Sequence, residues 1–158
     1  MEAYGVPKDD PVGLLPWAWA EERLLANRNY WVATVDPQQR PHVMPVWGVW
    51  QVESESFWFG CSPESLRVRN MVTNPHVVVT TDDTVEVVSI EGTATKHEPR
   101  PSIAEAFGVK YDDENTSAED LTGFLMQQAM YEITPVKAFG LIETPEDFGP
   151  RATRWVWP

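Results

Sequence analysis

Two prolines interrupt an apolar and aromatic segment, Arg40-Pro-His-Val-Met-Pro-Val-Trp-Gly-Val-Trp50, whose other residues favour a β-strand. Proline donates no backbone hydrogen bond, so a central strand of a sheet rarely tolerates two of them. The segment therefore predicts a strand that uses part of its backbone for something other than a neighbouring strand. A flat ligand that lies against this backbone would meet that description.

A short basic helix is predicted after the next strand, in the segment Ser62-Pro-Glu-Ser-Leu-Arg-Val-Arg-Asn70. Ser62 suits the N-cap, Pro63 the first helical position, and Glu64 the positive end of the helix dipole. Free N–H groups at a helix N-terminus favour a bound anion. The residues that could converge on one phosphate are Ser62, Ser65, Arg67 and Arg69. The alternative, which is the commoner case on helices, is that both arginines are ordinary solvent-exposed charges.

The chain has 158 residues and a formal charge of −12, from 24 acidic and 12 basic residues. Its length predicts a single domain over residues 1–158, with residues 1–15 as an irregular N-terminal arm. The acidic balance argues against nucleic acid and against an anionic membrane surface, because both attract basic proteins. We find no signal-peptide pattern and no apolar run near the roughly 20 residues of a membrane span, so a cytoplasmic location is expected.

The pattern of apolar residues predicts a mostly β (α+β) chain. Short strands with turn signals and few helices indicate a small closed antiparallel barrel, and they argue against alternating β-α-β units. Gly92 inside a predicted strand indicates a bulge. On the basic helix, Val68, Met71 and Val72 are expected to face the core. Strands are predicted over residues 30–35, 41–50, 57–59, 76–81, 85–95, 131–142 and 153–157, and helices over 17–27, 63–73, 103–109 and 118–130.

No side chain presents a recognisable catalytic arrangement. His42 is a candidate acid or base, but it stands alone on its strand, which favours a structural role. His76 and His97 follow no metal-ligand spacing, and the single cysteine, Cys61, excludes an internal disulfide. We therefore predict no catalytic side chain and no metal ligand. If the chain is an enzyme, its chemistry is expected to reside in a bound cofactor.

Two tryptophans and the cysteine are the candidates to border such a ligand. Trp47 and Trp50 are expected on opposite faces of their strand. One would enter the core, and the other would border a flat ring or a partner subunit. Cys61 is expected to be a small packed thiol beside the ligand.

Several segments resemble, in the same order, those of the pyridoxamine 5′-phosphate oxidase-like split β-barrels. Within these proteins the chain is most similar to the actinobacterial flavin/deazaflavin oxidoreductases. The resemblance spans residues 17–157. The segments that carry it are residues 40–50, Phe57-Trp-Phe59, Ser65-Leu-Arg-Val-Arg-Asn-Met71 with Asn74-Pro75, Ile90-Glu-Gly-Thr-Ala94 and Thr153-Arg-Trp155.

The resemblance implies a homodimer of split β-barrels, each of about six antiparallel strands with flanking helices. It implies FMN or the deazaflavin coenzyme F-420 in a groove at the subunit interface, and hydride transfer to or from a small conjugated substrate. The terminal Thr-Arg-Trp pattern is more typical of those members of the family that use the deazaflavin. Arg67 is expected to hold the phosphate with help from Ser65 and Arg69. The full set of implied cofactor-binding residues is Met44, Pro45, Val46, Trp47, Cys61, Ser62, Ser65, Arg67, Arg69, Asn70 and Trp155.

Three positions depart from the pattern of the family. Leu66 stands where arginine is common, Arg67 replaces a frequent lysine, and Gln39 occupies a turn position that is usually glycine. These differences keep two alternatives to an enzyme open. One is a split-barrel module that binds FMN, haem or another flat ligand without catalysis, and the other is a dimeric scaffold with an empty groove.

Overall fold

The computed structural model of the protein describes residues 14–158, so residues 1–13 of the expected N-terminal arm lie outside the described range. This part of the chain forms eight strands and four helices. In chain order they are α1 (Trp17–Ala26), β1 (Asn29–Val35), β2 (Pro41–Trp47), β3 (Val49–Gln51), β4 (Ser56–Cys61), α2 (Leu66–Thr73), β5 (His76–Thr81), β6 (Glu86–His97), α3 (Pro101–Tyr111), α4 (Ala118–Leu125), β7 (Ala129–Ile142) and β8 (Thr153–Val156).

The strands form one antiparallel sheet in the order β2-β1-β5-β6-β7-β4-β3, and β8 pairs with β7. The sheet curls into a half-barrel that is flanked by the four helices, which confirms the predicted mostly β split-barrel class. The long strands β6 and β7 pair along almost their whole length at its centre. The strand count exceeds the expected six, partly because the predicted strand over residues 41–50 is two strands.

Strand β2, which carries Pro41 and Pro45, lies at an edge of the sheet and pairs only with β1 within the described part of the chain. This confirms that the proline-containing strand is not central. Its side chains Val43 and Met44 are 55% and 58% exposed. The free edge of β2 is therefore open to a ligand or to a second protein chain.

Gly48 divides the predicted strand over residues 41–50. Its backbone N–H donates to Tyr111 Oη at 2.8 Å, and its carbonyl accepts from Lys110 Nζ at 3.0 Å. A Cβ atom at this position would stand 2.0 Å from the ring of Phe57, so only glycine fits. The chain leaves β2 at this residue and enters β3, which pairs with β4 at the opposite end of the sheet order.

Helix α2 begins three residues later than the sequence predicts. Ser65 is its N-cap, and Ser62 belongs to a preceding turn in which the Ser65 N–H donates to the Ser62 carbonyl at 3.0 Å. Val68 and Met71 are buried as predicted. Val72 is 77% exposed, so its predicted core position is wrong. The eight-residue helix packs only a narrow face against the sheet, and Val72 lies beside that face rather than on it.

Two apolar cores stabilise the fold. The larger core lies against the sheet and includes Leu24, Trp50, Phe57, Ile90 and Ile133. The smaller core joins β3 and β4 to α3 and α4, around residues such as Trp58 and Phe107. Within residues 14–158, no helix is both long enough and apolar enough to cross a membrane.

The predicted bulge at Gly92 is confirmed by a shift in the register of the β6–β7 pair between Glu91 and Gly92. A Cβ atom on Gly92 would lie 2.5 Å from the Thr134 carbonyl oxygen and 2.8 Å from Ile133 Cγ2. The backbones of the two central strands therefore approach closely at this point, and a side chain would force them apart.

We expect Gly92→Ala to lower the free energy of unfolding by about 1–3 kcal/mol, the usual effect of overpacking a rigid site. Gly123 is a matched control, because an added Cβ there meets no atom within 4 Å on exposed helix α4. Gly123→Ala should raise the stability by about 0.5–1 kcal/mol through helix propensity. Urea unfolding followed by tryptophan fluorescence measures both changes, and a Gly92→Ala variant as stable as the wild type would contradict the close approach.

Candidate functional site

A cavity of about 190 Å³ lies between the β1–β2 edge of the sheet and the start of helix α2. Strands β1 and β2 place alternate side chains on this face, and the turn before α2 brings the helix start to it. Apolar groups line most of it, and polar groups line one side. The lining residues are Val32, Thr34, His42, Met44, Ser65, Leu66 and Arg67.

Arg67 and Ser65 are polar groups that line this cavity. The Arg67 side chain is partly buried, and no ion pair or hydrogen bond to it occurs among residues 14–158. Its burial lowers the pKa of the guanidinium. Ser65 Oγ is buried, and its one polar neighbour among the described residues is the Cys61 thiol, a weak hydrogen-bonding group. Because buried polar groups in folded proteins are nearly always hydrogen-bonded, the Ser65 hydroxyl and the Arg67 guanidinium are available to hold an anion in this cavity.

Asn70 fixes helix α2 to the sheet. Its side chain is 1% exposed, and its Nδ2 donates to Thr34 Oγ1 of β1 at 3.0 Å. Thr34 also lines the cavity. The structure therefore places the predicted cofactor residue Asn70 beneath the helix, where it holds Ser65 and Arg67 in position against β1.

His42 is paired with a carboxylate that the sequence reasoning missed. Its Nε2 lies 3.3 Å from Asp36 Oδ2, and Asp36 is 4% exposed. The same carboxylate accepts hydrogen bonds from the backbone N–H groups of Gln38 and Arg40, each at 2.9 Å, and from Arg40 Nε at 2.7 Å. Desolvation by burial raises the pKa of Asp36, but these hydrogen bonds outweigh it and lower the pKa to about 2. The available signal was the tight hairpin, which pairs His42 with Thr34, two residues before Asp36.

Cys61 lies at the end of β4, close to the start of α2. Burial raises the pKa of its thiol, and the nearby Ser65 hydroxyl and the charge of Arg67 act in the opposite direction. The net effect favours the neutral thiol. This is consistent with the expected packed cysteine and argues against a thiolate nucleophile.

The structure brings together only part of the predicted cofactor set. Met44, Ser65 and Arg67 share the cavity, and Cys61 lies near it. Ser62, Arg69 and Pro45 are exposed, and Val46 is buried in the main core.

Two predicted residues lie in other parts of the molecule. Trp47 stacks on Tyr111 of α3, with ring centroids 4.6 Å apart and an angle of 9° between the ring planes. Trp155 packs edge-on against Trp17 of α1, with centroids 5.4 Å apart. Trp50 enters the core, as expected for one of the two tryptophans on that segment.

A larger and more open groove of about 470 Å³ runs over β1, β5, β6 and β7. Lys137 and Glu91 line it and form an ion pair at 2.9 Å. These two charges neutralise each other. The smaller cavity beside α2, with its unpaired guanidinium, is therefore the better candidate for an anionic ligand.

Several solved structures share this fold. A pyridoxamine 5′-phosphate oxidase-related, FMN-binding protein from Nostoc punctiforme is 15% identical with a TM-score of 0.63, and the match covers 92% of this chain and 98% of that one. An F-420 reductase is 21% identical with a TM-score of 0.58, covering 74% and 94%. HutZ, the heme storage protein from Vibrio cholerae, is 18% identical with a TM-score of 0.61, covering 90% and 94%. At these identities the similarity establishes the fold alone.

No curated protein sequence matches the chain. The sequence model of the family described as pyridoxamine 5′-phosphate oxidase matches residues 19–135, which is more than half of the chain. This match includes every residue that lines the cavity, and it extends to the first half of β7. The chain therefore belongs to the pyridoxamine 5′-phosphate oxidase family.

Proposed function

We propose that the protein is an oxidoreductase that binds FMN or coenzyme F-420 and transfers hydride between this cofactor and a small conjugated substrate. The observation that carries the proposal is the partly buried and unpaired Arg67 beside the buried Ser65 hydroxyl. The fold similarity to an F-420 reductase and to an FMN-binding protein supports it.

The residues of the cavity suit a phosphate that is attached to a flat ring. Arg67 and Ser65 would hold the phosphate with charge-assisted and neutral hydrogen bonds. Met44 and Val32 offer an apolar surface for the adjoining part of the ligand, and the free edge of β2 offers backbone groups. A bound flavin or deazaflavin would supply the hydride chemistry, and these residues would supply its position.

We also propose that two copies of the chain form the working unit. Trp31 on β1 and Val43 on β2 are 41% and 55% exposed at this edge of the sheet, and Val136 of β7, which lines the larger groove, is 52% exposed. Exposed apolar side chains on neighbouring strands favour a protein–protein contact at this face. Met44 and Leu66 border the cavity on the opposite face of β2 and are 58% and 44% exposed.

A binding module without turnover is the second candidate function. The fold similarity to a heme storage protein favours it, as does the apolar Leu66 at the mouth of the cavity. The absorption spectrum of the purified protein separates the candidates, because a flavin, a deazaflavin and haem absorb at different wavelengths. Bound haem with no affinity for FMN or coenzyme F-420 would favour the binding module.

We expect Arg67→Ala to raise the Kd for FMN by about 10- to 150-fold, which corresponds to roughly 1.5–3 kcal/mol for a hydrogen bond between charged groups. Arg67→Lys should keep much of the affinity, because the charge remains although the forked geometry is lost. Quenching of flavin fluorescence measures the Kd, and titration with coenzyme F-420 gives the parallel value.

Riboflavin is the control ligand for this titration, because it lacks the phosphate. Its Kd should be the same for wild type and Arg67→Ala. Arg154→Ala is the control variant, because Arg154 is an exposed arginine on β8 and lines none of the described cavities. Equal affinity of wild type and Arg67→Ala for FMN and for coenzyme F-420 would remove Arg67 from the binding site.

For the assembly, we expect wild-type protein to sediment as a dimer at micromolar concentration and Val43→Lys to sediment as a monomer. A lysine at this edge-strand position places a charge in the proposed contact. Val109→Lys is the matched control, because Val109 is 82% exposed on helix α3 and lies away from the outer face. A monomeric wild type, or a Val43→Lys variant that remains dimeric, would contradict the proposed contact.

A further inference from the structure

His42 lines the same cavity as Arg67 and Ser65, but the proposed phosphate contacts do not use it. About one third of its side chain is exposed, and Nε2 is engaged with Asp36 Oδ2 at 3.3 Å. No hydrogen bond to its other ring nitrogen, Nδ1, is present within residues 14–158. One nitrogen of this imidazole is therefore held by the protein, and the other is free to meet a ligand.

The partner of His42 determines which nitrogen carries the proton. Asp36 already accepts two backbone N–H bonds and the Arg40 side chain, and it is ionised at neutral pH. An ionised carboxylate only accepts hydrogen bonds. The proton of neutral His42 must therefore sit on Nε2, which leaves a lone pair on Nδ1. In that state Nδ1 repels a phosphate oxygen, and it becomes a donor only when the ring takes up a second proton.

The charges around the ring come from two elements. The hairpin supplies Asp36, which favours the imidazolium, and Arg40, which is bound to the same carboxylate. Helix α2 supplies Arg67, whose positive charge opposes a second cation in the cavity. A phosphate between Arg67 and His42 would cancel this opposition and accept a hydrogen bond from Nδ1. Anion binding and protonation of His42 therefore favour each other.

We propose that His42 is a proton-linked phosphate ligand, which binds the cofactor phosphate through Nδ1 only in its imidazolium form, with Asp36 as the positioning residue. This inference rests on the proposed function, since it assigns a further residue to the same site. The bound phosphate raises the affinity of His42 for its proton. The contribution of His42 to binding is thus present at low pH and is lost as the pH rises through the titration of His42 in the complex.

The pH range for testing this proposal follows from two ordinary pKa values. An unperturbed histidine titrates near pH 6.5, and the second ionisation of a phosphate monoester lies near pH 6. Between about pH 6.5 and 8.5 the phosphate stays mainly dianionic, so its own ionisation contributes little to a change in affinity. The change in affinity over this range therefore reports on the protein rather than on the ligand.

The experiment measures the Kd of FMN at pH 6.5, 7.5 and 8.5 for wild type and for His42→Gln. We expect the wild-type Kd to rise about tenfold across this range, the loss of one charge-assisted hydrogen bond. The His42→Gln variant should bind more weakly at pH 6.5 and vary less than about twofold. Riboflavin should show no such pH dependence with either protein. Calorimetry in two buffers of different ionisation enthalpy should show proton uptake by wild type at pH 7.5 and none by His42→Gln.

The outcomes separate the two proposals. The same pH dependence and proton uptake in His42→Gln as in wild type would overturn the role of His42 and leave the flavin site intact. A wild type that binds neither FMN nor coenzyme F-420 at any of these pH values would overturn both proposals together. Thermal unfolding of His42→Gln near the wild-type Tm shows that a weaker affinity does not arise from misfolding.

Discussion

One residue, Gly48, connects the two edges of the sheet. β2 ends immediately before it and β3 begins immediately after it, yet these strands lie at opposite ends of the strand order. A single linking residue can join both edges only if the sheet curls until they meet. Tyr111 and Lys110 bind the polar groups of Gly48, and the ring of Phe57 leaves no room for a side chain there. The curl of the half-barrel and the position of helix α3 follow from this joint.

The candidate site depends on the same curl of the sheet. It also carries a cost in stability. A partly buried guanidinium without a partner loses hydration and gains no ion pair in return. Helix α2 keeps Arg67 there because Asn70 is hydrogen-bonded to Thr34, and because Val68 and Met71 pack into the main core. Packing and one buried hydrogen bond thus hold the Arg67 charge in the cavity, where it would be more stable beside a bound anion than without one. Proteins commonly store such strain at their functional sites.

The sequence was sufficient to predict those features of the fold whose physical cause is local. The prolines indicated the edge position of β2, and Gly92 indicated the bulge. Ser65 and Arg67 share one cavity, and their role as an anion site stays a prediction. The sequence was insufficient to predict features that depend on contacts with residues far away along the chain. Gly48 is fixed by a tyrosine 63 residues away, and the same tyrosine draws Trp47 into a stack outside the cavity. The contact between His42 and Asp36 depends on the hairpin register, which residue types alone do not give.

The two ends of the described chain pack on each other. The backbone N–H of Leu15 donates to Thr153 Oγ1 at 2.8 Å across 138 residues, and Trp17 meets the rings of Trp155 and Trp157 at 5.4 and 4.8 Å. Helix α1 therefore lacks part of its aromatic contacts until β8 has been synthesised, although Trp50 meets the ring of Trp17 at 5.7 Å. The contacts between α1 and β8 form only after β8 has been synthesised, and until then the nascent chain exposes apolar surface of the kind that makes partly folded chains prone to aggregation.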